Sequence, residues 1–479
     1  MQKFEKKGLK KKSENLSEWY TDVILKAELA DYAPVKGCMV IRPYGYSLWE
    51  GIRKFLDMYI KERGVKNAYF PVFIPEKYLK MEKEHIEGFS PHLAVVTIAG
   101  GEKLKEKLVV RPTSETVMYQ MYKEWYHTYR DLPVLINQWN NIVRWEKRTY
   151  LFLRTSEFLW QEGHCAHSTH KESIETVLWA LSMYKRTYNE LLAMYGIAGV
   201  KSESEKFAGA YKTYTFESLM PDGKALQACT SHDLGQNFAK AFDWTVLDQK
   251  GDKLHPWQNS WGYSTRSIGG LILSHGDDAG LVLPPRIAPV QVIIVPIPGS
   301  SEEVYAFAGR IREELSKMLF AGEAIRCEID DIGDETAGYK FNKWELKGVP
   351  LRLEIGEREL KKKILQVSGR DILQRTELEL KIVPEYLKGI QNRMFEKHKK
   401  FTDDNTHTVD SYDSFKNIMR DKRGFIRALW CEDKECETKI KEETKATTRV
   451  LPLDTKPEKG KCIYCGKKAS QRWYFAQSY

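Results

Sequence analysis

RWEKRTYLFLRTSEFLWQEGH, Arg144 to His164, is the stretch on which the fold turns. It opens at the end of one apolar-patterned run, Val134 to Trp145, and closes inside another, Phe158 to Ala166. The pattern predicts two strands joined by a polar, basic turn, Glu146 to Arg154. Side chains alternate across a strand, so Phe158, Trp160, Glu162 and His164 share one face. A carboxylate and an imidazole beside an indole on a buried face cost stability unless they have partners or a task. A hydrogen-bonded core histidine is the alternative for His164. Arg144 and Arg154 flank the turn. Basic residues are common at solvated hairpin tips, but the arginine fork also matches phosphate oxygens, which makes the pair a candidate triphosphate clamp.

Upstream, Arg111-Pro112-Thr113-Ser114-Glu115 ends a short strand from Lys107 and opens a helix over 113–129. A cap plus an acid favoured by the helix dipole explains it; a small pocket for an ammonium group is the functional alternative. Amphipathic helices are predicted over 13–30 and 47–63, the second capped by Ser47 and stopped by Gly64. A strand is predicted over 68–74, with Pro71 inside it marking an edge or an interface. Downstream come a long helix over 172–195, ended by Gly196, and strands over 211–219, 225–231 and 261–266. Many consecutive strands with few helices predict an antiparallel sheet. Gln227, Thr230 and His232 form a polar strand-to-loop segment. Trp261 to Gly269 is a strand entering a helix at Arg266, where a cation opposes the dipole. An anionic ligand nearby accounts for that placement; a solvated arginine is the alternative.

The pattern changes after Pro284-Pro285. Strands over 290–296, 324–329 and 351–355 alternate with helices over 304–320 and 337–347, predicting a separate α/β domain with a parallel sheet. A charged helix over 383–401 follows, with Pro384 in its first turn. Beyond 402 the chain is polar and irregular until a cysteine cluster and an aromatic end, Trp473 to Tyr479. The boundaries read as 1–286, 287–390 and 391–479.

Bulk properties exclude little. A net charge of +9 permits a polyanionic partner without demanding one. No apolar run reaches the roughly 18 residues of a membrane helix. Met1 to Lys12 is basic and lacks the apolar segment of a secretory signal, so a cytoplasmic protein is expected. Cys38, Cys165, Cys229 and Cys327 are scattered, whereas Cys431, Cys436, Cys462 and Cys465 cluster. That distribution predicts one local metal site in a reducing compartment, not a disulfide scaffold.

The order of these segments is their strongest message. Gly64-Val65-Lys66 through Phe70-Pro71, then Arg144-Trp145-Glu146 with its return strand, then Arg266 opening a helix, resembles the three motifs of class II aminoacyl-tRNA synthetases. Arg-Pro-Thr-Ser-Glu, Phe-Leu-Arg-Thr, Phe-Leu-Trp-Gln-Glu-Gly-His, Thr-Ser-His-Asp-Leu-Gly-Gln-Asn-Phe and Lys340 to Pro350 resemble the prolyl-tRNA synthetases specifically, in their archaeal and eukaryotic form. The resemblance runs from about residue 14 to Tyr479. It implies an α+β catalytic domain on an antiparallel sheet, an α/β anticodon-binding domain and a small zinc-containing α+β C-terminal domain.

That resemblance also implies roles. Thr113, Glu115 and Arg144 hold the imino and carboxylate groups of L-proline, and Trp160, Glu162, His164, Phe207 and His232 surround its ring. Arg144, Glu146, Arg154, Thr155, Gln227, Thr230, Ser264 and Arg266 bind ATP with Mg2+, and Arg144, Arg154 and Arg266 stabilise charge during adenylate formation. Glu345 and Arg352 read the anticodon of tRNA(Pro). Cys431, Cys436, Cys462 and Cys465 hold a structural zinc ion. The implied enzyme is a homodimer without a membrane segment or the large editing insertion between its second and third motifs, and its terminal Tyr479 reaches the catalytic domain. The rivals are a histidyl enzyme, a threonyl enzyme, whose active-site metal would need ligands such as Cys165 or Cys229 but whose motifs fit less well than the prolyl ones, and a catalytically dead RNA-binding or regulatory relative. Intact Arg144, Arg154 and Arg266 argue against the latter.

Overall fold

The computed structural model describes residues 8–81 and 92–479, so Met1 to Lys7 of the basic N-terminal stretch lie outside the described residues. An eleven-stranded sheet organises the chain. From one edge it runs Thr406–Thr408, Phe425–Trp430, Gln471–Ala476, Thr447–Pro452, Ile197–Val200, Lys212–Leu219, Ala225–Gly235, Trp257–Ser264, Glu157–His167, Val134–Val143 and Lys66–Asn67. The central pairings from Val134–Val143 to Ile197–Val200 are all antiparallel, as the run of consecutive strands predicts. One face is covered by the His170–Arg186 helix, which buries Val177, Ala180, Leu181 and Tyr184.

Several boundaries differ from the sequence reading for local reasons. The helix over Pro43–Glu62 starts one turn before Ser47, because Pro43 is suited to a first turn. Ser47 is therefore no cap, and its hydroxyl donates to the Pro43 carbonyl at 3.0 Å. The 68–74 run is not one strand. Lys66–Asn67 pairs with Ile136–Asn137, the chain then leaves the sheet, and Phe73–Pro75 joins a separate three-stranded sheet. Pro71, with no N–H to donate, lies in the break. The long helix closes at Arg186 in a π turn over Thr187–Leu191.

The second unit carries a mixed five-stranded sheet rather than a parallel one. Cys327–Ile329, Val292–Pro296 and Leu351–Ile355 are parallel, while Leu365–Gly369 and Arg375–Leu378 extend the sheet antiparallel. The C-terminal region is far from irregular. It forms helices Tyr412–Asp421 and Lys434–Thr444 and six strands, four of which continue the main sheet while Gly460–Lys461 and Lys468–Ala469 pair with each other. The seam is Leu451 opposite Val200 and Pro452 opposite Gly199. A Cβ on Gly199 would lie 2.0 Å from the Leu451 carbonyl oxygen, so only glycine allows this approach.

Candidate active site

The central strands lay their polar side chains in rows across one sheet face. Gln138, Glu162, Gly262 and Thr230 are successive cross-strand partners. Ile136, His164, Ser260, His232 and Thr213 form the next row, and Asn140, Trp160 and Ser264 a third. The alternation expected for Phe158 to His164 is thus realised. Over these rows lies a cavity of about 150 Å³, lined by Thr113, Glu115, Arg144, Trp160, Glu162, His164, Phe207, Gln227, Thr230 and His232, and also by Lys201, Glu205 and Thr213. It is smaller than the several hundred Å³ of a drug-sized ligand site. Gly262 keeps the floor open, since a Cβ there would press on the Trp160 ring at 3.3 Å.

Glu162 is the hub of the site. Its Oε2 accepts from Thr113 Oγ1 at 2.9 Å, from the Ser114 N–H at 3.0 Å and from His164 Nε2 at 3.0 Å. Its Oε1 accepts from Asn140 Nδ2 at 2.7 Å and Gln138 Nε2 at 3.3 Å. Burial by itself would raise the carboxyl pKa, but the hydrogen bond and charge of His164 and the bonds from Ser114 outweigh it and draw the group down to about 2. Glu162 is therefore a fixed negative charge under the cavity. Glu115, also buried, brings Oε1 to 3.7 Å from His164 Nδ1. Burial, reinforced by the charges of His164, Arg144 and Lys201, lowers His232 to about 3, so its ring is neutral at pH 7. His232 Nδ1 lies 3.0 Å from Thr213 Oγ1, and its ring packs on Phe207 with centroids 4.5 Å apart.

The cavity also carries positive charge, from Arg144 and Lys201, and Arg266 lies near Arg144 outside the lining. Arg144 donates from Nε to the Pro112 carbonyl at 3.1 Å and lies over the Trp160 ring at 5.1 Å. Burial, with repulsion from Arg266, pushes its pKa down to about 10. Arg266 opens the Arg266–His275 helix as predicted and donates from Nε to the Leu153 carbonyl at 3.0 Å. Its pKa is likewise lowered by burial. Two half-buried guanidinium groups close enough to repel each other gather the kind of donors that an anion requires. Arg154 stands exposed and pairs with Glu146 at 2.8 Å, so these two are at the rim. Thr155 is buried and donates to the Glu157 carbonyl at 2.7 Å, which makes it part of the turn's framework. Ser264 Oγ accepts from the Arg266 N–H at 3.3 Å. Cys165 lies on the opposite sheet face from Glu162, its thiol pushed up to about 12 by burial, and Cys229 is buried in the core.

Sequence reasoning missed Gln138, Asn140, Lys201 and Thr213. The amide-rich run Asn137-Gln138-Trp139-Asn140-Asn141 inside a predicted strand was the available signal, since amides on a buried strand face need partners.

In the second unit Arg352 is not an exposed strand charge. Its guanidinium stacks on Phe341 at 4.1 Å and donates to Glu354 Oε1 at 2.9 Å. Glu345 is half-buried on the Ala337–Leu346 helix. At the C-terminus, Cys431 Sγ lies 3.7 Å from both Cys436 Sγ and Cys465 Sγ, and the four sulfurs, Cys462 included, all fall within 4.8 Å of one another. Tetrahedral ligation with metal–sulfur bonds of about 2.3 Å requires sulfurs roughly 3.8 Å apart, so the cluster fits such an ion. The aromatic tail folds back on the catalytic strand. Gln477 O accepts from the Ala225 N–H at 2.8 Å, and Tyr479 N donates to Ala225 O at 3.3 Å.

Three family models match successive parts of the chain. Residues 97–275 match the tRNA synthetase class II core domain (G, H, P, S and T), 291–390 the anticodon binding domain, and 412–479 the prolyl-tRNA synthetase C-terminal model. The chain is 50% identical over 473 residues to proline--tRNA ligase 2 of Clostridioides difficile, covering 98% of this chain and 97% of that one. It is 51% identical over 481 residues to the proline--tRNA ligase of Chlorobium chlorochromatii, covering 98% of each. The crystal structure of Cryptosporidium parvum prolyl-tRNA synthetase with halofuginone and AMPPNP superimposes with a TM-score of 0.93 at 43% identity, over 98% of this chain and 99% of that one. That enzyme with L-proline and AMP gives 0.92 at 41% identity, over 98% and 96%.

Proposed function

The chain belongs to the prolyl-tRNA synthetase family of class II enzymes, and we propose that the cavity over Glu162 is where it activates L-proline. It is a proline--tRNA ligase: proline and ATP form prolyl-adenylate and diphosphate, and a terminal ribose hydroxyl of tRNA(Pro) then takes the prolyl group and releases AMP. The observation that carries the assignment of the site is the lining of one small cavity, which brings the carboxylates of Glu115 and Glu162 together with the guanidinium of Arg144. Proline matches it in size and charge. Its ring sits among Trp160, Phe207, His164 and His232, its cationic amine near Thr113 and Glu115, and its carboxylate against Arg144.

A carboxylate nucleophile needs no general base. The proline carboxylate attacks the α-phosphorus, the bond to diphosphate breaks, and the work of the protein is alignment and charge stabilisation. ATP enters as its magnesium complex. Arg144 bridges the carboxylate and the α-phosphate. Arg266 and, from the rim, Arg154 with Glu146 hold the outer phosphates. Gln227, Thr230, Thr155 and Ser264 shape the nucleotide side. In the second unit Glu345 and Arg352 face the anticodon, where an arginine fork suits an unstacked guanine.

The domains divide at 1–286, 287–390 and 391–479. The four thiolates hold structural zinc, which suits a site of four cysteines. The segment between Arg154 and Arg266 is taken up by strands and helices of the main sheet, which supports the compact form of the enzyme without an editing insertion. A homodimer through the first motif is favoured by the exposed Tyr69 and Phe73, and sedimentation at micromolar concentration tests it. No helix among the described residues is long and apolar enough to cross a membrane, and a cytoplasmic site of action accords with that. The tail at Tyr479 steadies the start of the Ala225–Gly235 strand; deleting Ser478 and Tyr479 lowers adenylate formation if this is right, and leaves it at the wild-type rate if the tail only packs.

Diphosphate exchange against a panel of amino acids tests the function. Exchange is expected with proline, and equal or greater exchange with threonine refutes the assignment.

A further inference from the structure

The cavity wall that carries Lys201, Glu205 and Phe207 belongs to a segment, 201–211, with no helix or strand of its own. Something outside it must fix its path. At its far end, the Phe207 N–H donates to Thr213 Oγ1 at 2.9 Å, and Thr213 Oγ1 meets His232 Nδ1. At its near end the partner is Glu437, on the helix Lys434–Thr444 of the C-terminal unit. Glu437 is 5% exposed, and its carboxylate accepts from Ser202 Oγ at 3.2 Å, from Ser204 Oγ and from Thr448 Oγ1. Ser202 Oγ and Thr448 Oγ1 are also 2.8 Å apart. A second tie runs beside the first. Arg449 donates to Glu217 Oε2 at 2.7 and 3.0 Å, and Lys201 Nζ lies 3.2 Å from Glu217 Oε1.

A buried carboxylate is costly unless hydrogen bonds satisfy it. Glu437 takes two of these three donors from across the sheet seam. Its chain neighbour is Cys436, so one helix carries both a thiolate of the cluster and the carboxylate that pins the cavity wall. We propose that Glu437 is a positioning residue for proline, holding Ser202 and Ser204 so that the segment delivers Phe207 onto His232. The inference rests on the reading of this cavity as the proline site. Glu437 touches neither substrate nor phosphate, so its loss widens the pocket without disturbing the nucleotide end.

The experiment is diphosphate exchange by the full-length protein in three variants: Glu437→Ala, Glu437→Gln, and Ser202→Ala with Ser204→Ala. Zinc content and thermal melting are measured in parallel. Removing two hydrogen bonds that set the wall should raise the KM for proline about tenfold while the KM for ATP stays within about twofold. Glu437→Gln, which still offers an acceptor, should recover most of the loss. A folded, metal-bearing variant with wild-type proline KM overturns the proposal, as does a parallel rise for proline and ATP, because Glu437 would then only dock the two units. The double serine variant leaves the thiolate helix intact and decides the matter even where Glu437→Ala sheds its metal. Failure of the unaltered protein to exchange with proline would instead refute the proline-site reading itself.

Discussion

Thr113 Oγ1 donates to Glu162 Oε2 at 2.9 Å, tying the loop that opens the Glu115–Trp125 helix to the central strand beneath it. Thr113→Val keeps the shape and removes the donor. We expect the KM for proline to rise about tenfold with little change in melting temperature. Glu162→Ala is harsher, because it strips the acceptor from Ser114, Gln138, Asn140 and His164 together. A loss of about 3 kcal/mol or more in a urea titration is expected, since each buried donor left unmade is costly. A Glu162→Ala protein as stable as the parent would remove the hub role.

Arg144 is the side chain shared by both substrates. Arg144→Ala should lower single-turnover adenylate formation by a hundredfold or more, about 3 kcal/mol of barrier. Arg154→Ala, at the exposed rim, should cost roughly tenfold, since a solvent-screened charge contributes less. Near-normal turnover in the Arg144 variant would take it out of the mechanism.

Elemental analysis should find one zinc per chain, and Cys462→Ser should lose it. Metal binding and folding are coupled in sites of this kind, so the variant should melt first in its C-terminal unit. Any effect on chemistry should appear in the KM for proline before kcat. Full metal content in Cys462→Ser would show that the cluster is misassigned.

Acid should destabilise the folded chain well before the carboxylates titrate. Burial lowers His275 to about 3 and His167 and His398 to about 4, from an ordinary value of 6.5. Below pH 6.5 the unfolded chain takes up protons at these positions and the folded chain does not, so stability falls as the pH drops from 6.5 towards 4. Each histidine contributes about 1.4 kcal/mol per pH unit across that window. Lowering the pH from 7.5 to 5.5 should therefore reduce the melting temperature by several degrees, about as much as a few kcal/mol move a domain. Replacing His398 with Gln should soften the slope. A melting temperature that is flat across this range would mean the three rings are already exposed to water.

The central strands were legible because their signal is local. Phe158, Trp160, Glu162 and His164 alternate, and Arg144 and Arg266 sit at element ends where their charges are conspicuous. Gln138 and Asn140 were not recognised, because an amide has the same letter whether it faces water or a buried carboxylate; only the fold brings Glu162 within 2.7 Å of Asn140. The 402–479 region hid its order for another reason. Its helix Lys434–Thr444 is charged along most of its length, and what it buries, Cys436, Glu437, Ile440 and Thr444, does not form an apolar stripe. The strands Leu365–Gly369 and Arg375–Leu378 are short and interrupted by polar residues, so the mixed sheet read as parallel. Gly199 carries no hint in sequence that another strand will lie against it.

The seam at Gly199 also bears on solubility. A β-strand without a neighbour presents a ladder of open N–H and C=O groups that invites other chains to add to it. In this molecule Ile197–Val200 would be such an edge, and Thr447–Pro452 closes it. The C-terminal unit is thus a guard against misassembly as well as a scaffold. A truncated protein ending after the Val383–Asp404 helix would carry that ladder into solution, where self-association through Ile197–Val200 becomes its cheapest way to regain the missing partner.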